Sequence, residues 1–191
     1  MTASIDHGLT SKFLRTLYML EEHAGILRYK TRSASMFNAD AYSAERKCAA
    51  WNGKYAGKIV GCNVKGYIHT SITMPDGEFL NVSVHNIVWC LRTDEWPTSE
   101  IDHKNRNKSD NSEDNLRPAT HAQQIQNVGI KSNNTSGIVG VYWYNDRQKW
   151  AASITVQGDT MHLGFFADKI KAATVRRDAE LKYFGEFARC A

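Results

Sequence analysis

Residues 100–120 read EIDHKNRNKSDNSEDNLRPAT. An acid and an imidazole stand side by side at Asp102-His103, a long polar run follows, and Asn115-Leu116-Arg117 closes it. A plain surface loop needs neither an adjacent acid and imidazole at the end of an apolar approach nor an Asn at its exit. These residue types suit phosphodiester hydrolysis, which requires a nucleophilic water, charge neutralisation on the phosphate and help for the leaving oxygen. A neutral imidazole near pH 7 can take a proton from the water, and one divalent cation can supply the other two needs. Adjacent residues on an extended strand point to opposite sides. Asp102 can therefore hold a metal with His103 reaching a water beside it if the backbone bends there. The two-sided amide of Asn115 is placed to fasten the loop, Leu116 to enter a small core, and Arg117 to touch phosphate. Asp-His alone is commonly a surface pair, so the weight rests on the combined pattern.

Composition sets wide bounds around that stretch. The 191 residues suffice for one large domain or two small ones. A hydrophobic content of 42% with 23% charged residues is that of a soluble globular chain. The net charge of +4 permits nucleic-acid binding without requiring it. No apolar run approaches the ~18 residues that span a bilayer, and MTASIDHGLTSKF has no secretory pattern. Cys48, Cys62, Cys90 and Cys190 form no CxxC pair, which argues against a zinc ribbon; they could form two disulfides, but without an export signal reduced thiols are the expectation. The expectation is a cytoplasmic protein without membrane contact.

Further organisation comes from periodicity. Thr10–His23 places Phe13, Leu17 and Leu20 at helical spacing, with Thr10 or Ser11 able to cap. Residues 24–47 give no clear assignment. From Trp51 onward, short β-branched and aromatic runs punctuated by glycines and Pro75-Asp76-Gly77 read as hairpins. VHNIVWCL (84–91) is a short buried helix or strand, ended by Trp96-Pro97, and THAQQIQNV (120–128) fits a helix. GIKSNNTSG (129–137) has linker composition. Beyond it, runs at 137–144, 149–156 and 160–166 predict three antiparallel strands. A helix follows, capped by Asp168, with Ala172, Val175, Ala179 and Tyr183 on one face and Gly185 as its stop.

The stretch IDHKNRNKSDNSEDNLRPATHAQQIQN resembles the ββα-metal motif of HNH endonucleases. The upstream VHNIVWCLRTDEWP, and AGILRYK with AGKIVGCNVKGYIHTSI, resemble segments of bacteriophage-type HNH homing endonucleases. By position, the resemblance makes Asp102 the metal-binding acid, His103 the general base and Asn115 the Asn that orients the loop or the base. Gln124, nine residues after Asn115, stands where the family usually has the Asn or His that completes the metal site. A Gln oxygen sits one methylene farther out, so Asn127 or His121 is the alternative ligand. The implied cofactor is one divalent ion, Mg²⁺ or Mn²⁺, which suits carboxylate and amide oxygens. Lys104 and Arg106 in the loop are candidate contacts to the DNA backbone. His85 belongs to the resemblance but reads first as a packed structural His.

The segment SGIVGVYWYNDRQKWAASITVQGDTMHLGFFADKIKAATVRRDAELKYFGEFA resembles an AP-two (ethylene-response-factor) DNA-binding domain, in which a three-stranded sheet backed by a helix meets the major groove. The groove-facing candidates are Tyr142, Trp143, Tyr144, Arg147, Lys149, Thr155 and His162, while Trp150 reads as core. Few of the family's arginines are present, so its target recognition does not transfer. The expected fold is α+β: an HNH nuclease domain with an N-terminal accessory module (1–128), a linker (129–135) and an AP-two-like domain (136–191). The expected function is a metal-dependent endonuclease acting on double-stranded DNA. The alternatives are a catalytically inactive DNA-binding protein on a decayed HNH fold and, more weakly, an RNA-binding or structural role.

Overall fold

Thr10 starts the first helix by accepting a 3.2 Å hydrogen bond from the Phe13 amide on its Oγ1. In this computed structural model, residues 8–40, 42–120, 123, 130 and 134–188 are described. They divide into two units, residues 1–118 and 119–191. Helix α1 covers Ser11–Leu17 only. The helix expected to continue to His23 stops there because Tyr18 turns extended (φ −131°, ψ 150°). Its ring, 2% exposed, packs against Tyr29 at 5.8 Å between centroids. Strand β1 (Tyr18–Glu21) then pairs antiparallel with β2 (Ile26–Tyr29), so Leu20 lies on a strand.

The segment that sequence left partly unassigned contains helix α2 (Ala44–Tyr55), capped by the Ser43 hydroxyl. It packs through Cys48, Trp51, Asn52 and Tyr55, which recur at three- and four-residue intervals. Trp51 meets Tyr29 edge-on at 5.5 Å and Tyr55 at 5.3 Å. The Asn52 amide exchanges two hydrogen bonds with the Arg32 backbone. An antiparallel sheet follows, in the order β3 (Cys62–Val64), β4 (Tyr67–Thr73) and β5 (Phe79–Ser83).

Helix α3 (Val84–Thr93) resolves the helix-or-strand ambiguity and ends at Asp94, two residues before Trp96, in the left-handed conformation. It buries Val84, Ile87, Val88 and Leu91. These join Leu14, Leu17, Leu27, Ile72, Ile101 and Leu116 in one core. Removing a fully buried leucine such as Leu14 from such a core costs about 2–5 kcal/mol. Strand β6 (Glu100–His103) pairs with β7 (Leu116–Ala119).

In the second unit β8 (Val141–Tyr144), β9 (Lys149–Val156) and β10 (Asp159–Phe166) form a sheet with β9 central. Asp168 Oδ1 accepts from the Ile170 amide at 2.8 Å and starts helix α4 (Lys169–Phe184), which stops at Gly185. Pairing of Val141 with Ala152 and Trp143 with Trp150 sets these side chains on one face, around Ala172. Tyr183, expected on the packed face of α4, is 42% exposed. Arg176 and Glu180 are buried instead, joined at 2.9 Å. A four-residue step brings them together on one side of the helix, so a charged pair fills a position where the apolar spacing predicts tyrosine. Among the described residues no helix is long and apolar enough to cross a membrane. Cys48, Cys62 and Cys90 are free thiols.

Removing one member of a buried ion pair strands the other charge, at a cost of about 3 kcal/mol or more. Glu180→Ala is therefore expected to speed native-state hydrogen exchange of the β9 amides by about a hundredfold or more. The paired change Arg176→Met with Glu180→Leu is expected to restore most of that protection.

Candidate active site

Strand β6 delivers Asp102 and His103 with alternating burial, Ile101 and His103 inward. His103 is 3% exposed. Its ring meets the His85 ring edge-on at 5.3 Å and the Tyr67 ring at 6.0 Å. His103 Nε2 and Asn111 Oδ1 are 3.1 Å apart. With the amide oxygen accepting, Nε2 carries the proton and Nδ1 holds the lone pair that a general base uses. Burial pushes the His103 pKa below the ordinary histidine value, Lys108 adds to this, and Asn111, Asp102 and Asp110 oppose it. The ring is then neutral at pH 7, as proton abstraction requires.

Asp102 lies on the other side of the strand. Arg117 Nε and Nη2 both donate to its Oδ2, at 3.1 and 2.9 Å. The side chains are 11% and 9% exposed, so this pair is screened little by solvent. Arg117, expected at phosphate, is here a buried partner of Asp102 because β7 sets it against that carboxylate. It orients the acid and balances its charge.

The twelve residues between the strands are held by their polar groups. Asn115 Oδ1 accepts from the Asn105 amide at 2.8 Å, while its Nδ2 donates to the Asp110 carbonyl at 2.6 Å. Its own carbonyl accepts from Lys104 N at 2.8 Å. One 6% exposed Asn thus ties both ends of the loop. Asp110 accepts from Asn105 Nδ2 and from the Ser112 amide, and the hydrogen bonds from Ser112 chiefly hold its carboxyl below the usual range.

Contacts outside the loop fix it further. Ser109 Oγ donates to the Gly66 carbonyl and accepts from Asn63 Nδ2, latching the loop to the β3–β4 turn. Arg92 of α3 donates to the Asn111 carbonyl at 3.2 Å and to the Glu22 carbonyl. Gly25, at φ +63°, presses on the same residue, and a Cβ there would lie 1.8 Å from the Asn111 oxygen. Only glycine fits this turn. Lys104 and Arg106 are exposed on the loop, and Lys108 Nζ lies 4.5 Å above the Tyr67 ring.

Sequence reasoning missed Asn111, Tyr67 and His69. Asn111 is one Asn among several in a polar run, and nothing local marks it as the partner of His103. Tyr67 and His69 alternate on β4 and so share a face, a signal visible only once the strand is assigned. His85 is packed as expected, 8% exposed, but its Nδ1 finds no hydrogen-bond partner among the described residues. Gln124, Asn127 and His121 lie outside the described residues. Among those described, no cluster of three or more His, Cys, Asp or Glu is gathered as a metal site.

In the second unit, strand alternation puts Tyr142, Tyr144, Lys149, Thr155 and His162 on the sheet face away from Trp150. Phe165 shares that face, 5.2 Å from Tyr144 and 4.3 Å from His162, with the Arg147 guanidinium 4.5 Å above its ring. Trp143 departs from the expected set. Its pairing opposite Trp150, at 5.3 Å between rings, puts it on the face shared with Val141, although it remains 39% exposed.

Residues 82–126, which run from the end of β5 through the loop and past β7, match a family model described as HNH endonuclease. This part of the chain is thus similar to HNH endonuclease domains, a likeness that supports a nuclease. Protein 3.8 of Escherichia phage T7 is 34% identical over 58 residues, which are 30% of this chain and 48% of that protein. The chain thus spans about half the length of the curated relative it matches. No solved structure matches the chain.

Two measurements follow from this packing. Gly25→Ala is expected to lower the thermal midpoint of the first unit, with a loss of more than about 2 kcal/mol, because the turn must abandon the Asn111 carbonyl. The second concerns pH. Burial foremost, then His103 and His69, pushes the His85 pKa down to about 3. Between the ordinary value of 6.5 and about 3 the unfolded chain takes up a proton that the folded one refuses. Stability is therefore retained above pH 6.5 and falls as the pH drops through that window, with a slope approaching ~1.4 kcal/mol per pH unit from this group. Urea titrations at pH 7, 6, 5 and 4 are expected to show a shallower decline in His85→Phe.

Proposed function

We propose that the chain is a metal-dependent DNA endonuclease of HNH homing type, cutting double-stranded DNA at the Asp102/His103 centre and tethered by its C-terminal unit. The observation that carries this reading is His103. It is a buried, neutral imidazole oriented by Asn111 on a strand end beside the ion-paired Asp102, inside the segment that matches the HNH endonuclease family. In this reading His103 takes a proton from the attacking water and Asn115 holds the loop that carries Asn111.

The donor set fits a hard cation, since a carboxylate with a side-chain amide suits Mg²⁺ or Mn²⁺. Asp102 would hold it, with Gln124 or Asn127 as the amide ligand. Such an ion polarises the scissile phosphate and stabilises the departing oxygen when bound. Arg117 aims the Asp102 carboxylate, and Lys104 and Arg106 meet the DNA backbone from the exposed loop. The likeness of residues 136–188 to AP-two domains, with Tyr142, Tyr144, Arg147, Lys149, Thr155 and His162 on one sheet face, supports duplex binding by the second unit.

The second reading is a DNA-binding protein without cleavage. Arg117 favours it, because its guanidinium already neutralises the carboxylate that a cation would need. Supercoiled plasmid separates the two. In Mg²⁺ or Mn²⁺ the wild type is expected to nick or linearise it, and His103→Ala to lose at least a hundredfold in rate while still binding DNA. Equal cleavage by the two proteins would remove His103 from the base role. Metal-independent binding with no cleavage, unchanged by Gln124→Asn, would establish the second reading.

A further inference from the structure

Charge is not spread evenly along this chain. Residues 26–66 contain eight of the 24 Lys and Arg but only two of the 20 Asp and Glu, a local +6 in a protein of net +4. The other 150 residues hold 16 basic and 18 acidic side chains. Three of the eight, Arg46, Lys47 and Lys54, lie on α2 and Lys58 just past it, while Arg28 is paired with Glu21 outside the segment. With Cys48, Trp51, Asn52 and Tyr55 turned inward, the helical period of 100° per residue puts Arg46, Ala50, Gly53 and Lys54 on the outer face. Arg46, Ala50, Gly53 and Lys54 are all exposed, and no residue of the helix is fully buried. Lys58 follows just past the helix end and is also exposed.

The cations of this face are held by rings. The Arg46 guanidinium lies 4.8 Å over the Tyr42 ring, and Lys54 Nζ lies 4.9 Å over Tyr55. Among the described residues no carboxylate pairs with either, whereas Lys47 at the edge of the face is bound to Asp40. Aromatic contacts orient a cation and leave its charge unneutralised. Arg46 and Lys54 are thus exposed cations held by rings, with no neutralising carboxylate among the described residues.

A second, independent feature sits between them. Gly53 is in the middle of the helix, where glycine is unfavourable relative to alanine. The fold does not require it: a Cβ there would meet nothing within 4 Å, and its φ is not among the positive ones. A glycine that the folded chain does not need, flanked by exposed Ala49 and Ala50 and bracketed by two exposed cations, permits close approach by an external surface. The surface that complements several outward cations over two helical turns is a phosphate backbone, which carries one charge per ~1.7 Å of duplex axis.

We propose that the outer face of α2, through Arg46, Lys54 and Lys58 with Gly53 at its centre, binds the sugar-phosphate backbone of duplex DNA beside the cleavage site, independently of sequence. The inference rests on the reading of this protein as acting on duplex DNA. It assigns a role to a segment outside both the HNH match and the AP-two-like unit.

The test uses the full chain and fluorescence anisotropy on a 30-base-pair duplex of random sequence, titrated in 50 to 200 mM KCl without divalent metal. Arg46→Gln with Lys54→Gln is expected to weaken binding about tenfold at the lowest salt and to flatten the slope of log K against log salt by about 1.8, two contacts at ~0.9 each. Lys12→Gln with Lys182→Gln removes the same charge from exposed positions elsewhere and is expected to leave the slope unchanged. Gly53→Gln separates binding from folding. It is expected to keep or raise the thermal midpoint while weakening binding severalfold.

An unchanged slope in Arg46→Gln with Lys54→Gln overturns the proposal, as does an equal loss in the control pair. Loss on an RNA duplex alone, with DNA binding intact, also overturns it and assigns the face to RNA. Parallel plasmid cleavage by the wild type keeps the two readings apart. Cleavage with an unchanged slope defeats only this inference, whereas a flattened slope without cleavage defeats only the nuclease reading.

Discussion

From Lys104 to Asn115 the chain runs through twelve residues without one apolar side chain. The hydrophobic effect, which orders the rest of the unit, has nothing to act on here. Order must come from hydrogen bonds, each with a net worth of only ~0.5–1.5 kcal/mol. Several therefore have to act together, and they converge on Asn115, whose amide and carbonyl close both ends of the loop. From there the constraint passes to Asn111, and from Asn111 to the His103 ring. The orientation of the imidazole is thus a property of the whole loop.

The two sides of β6 do different electrical work. On one side His103 is enclosed by aromatic and imidazole rings, where desolvation penalises charge and keeps it neutral. On the other, Asp102 meets a guanidinium that keeps a nearly buried carboxylate from standing alone. One strand end therefore separates a proton-accepting environment from a charge-holding one. The alternation of side chains along a β-strand is the only device needed.

Much of this was legible in the sequence where a single period or spacing decides the matter. The strands at 141–144, 149–156 and 159–166, the Asp168 cap and the Gly185 stop follow from alternation and capping chemistry. The Asp-His pair and Asn115 stand out because their types are unusual beside a polar run. What escaped was decided by contacts far apart along the chain. Helix α1 yields to a strand at Tyr18 because Tyr29 pairs with it. Arg117 is buried because β7 meets Asp102. Asn111 matters because a distant turn and α3 press on it. Trp143, by contrast, lies on the helix-side face opposite Trp150 because adjacent residues of a strand alternate, so it cannot share a face with both Tyr142 and Tyr144.

The contact of Gly25 with Asn111 carries one more implication. The imidazole at 103 is set only when a turn near residue 25, a turn near residue 65 and the strand beginning at 116 have all arrived in place. A nascent chain that has emerged through His103 already holds both turns but still lacks Asn111 and the Asn115 that closes the loop. Fixing of the ring is thereby deferred until synthesis has passed β7, so a product terminated before it carries Asp102 and His103 without the contacts that orient them.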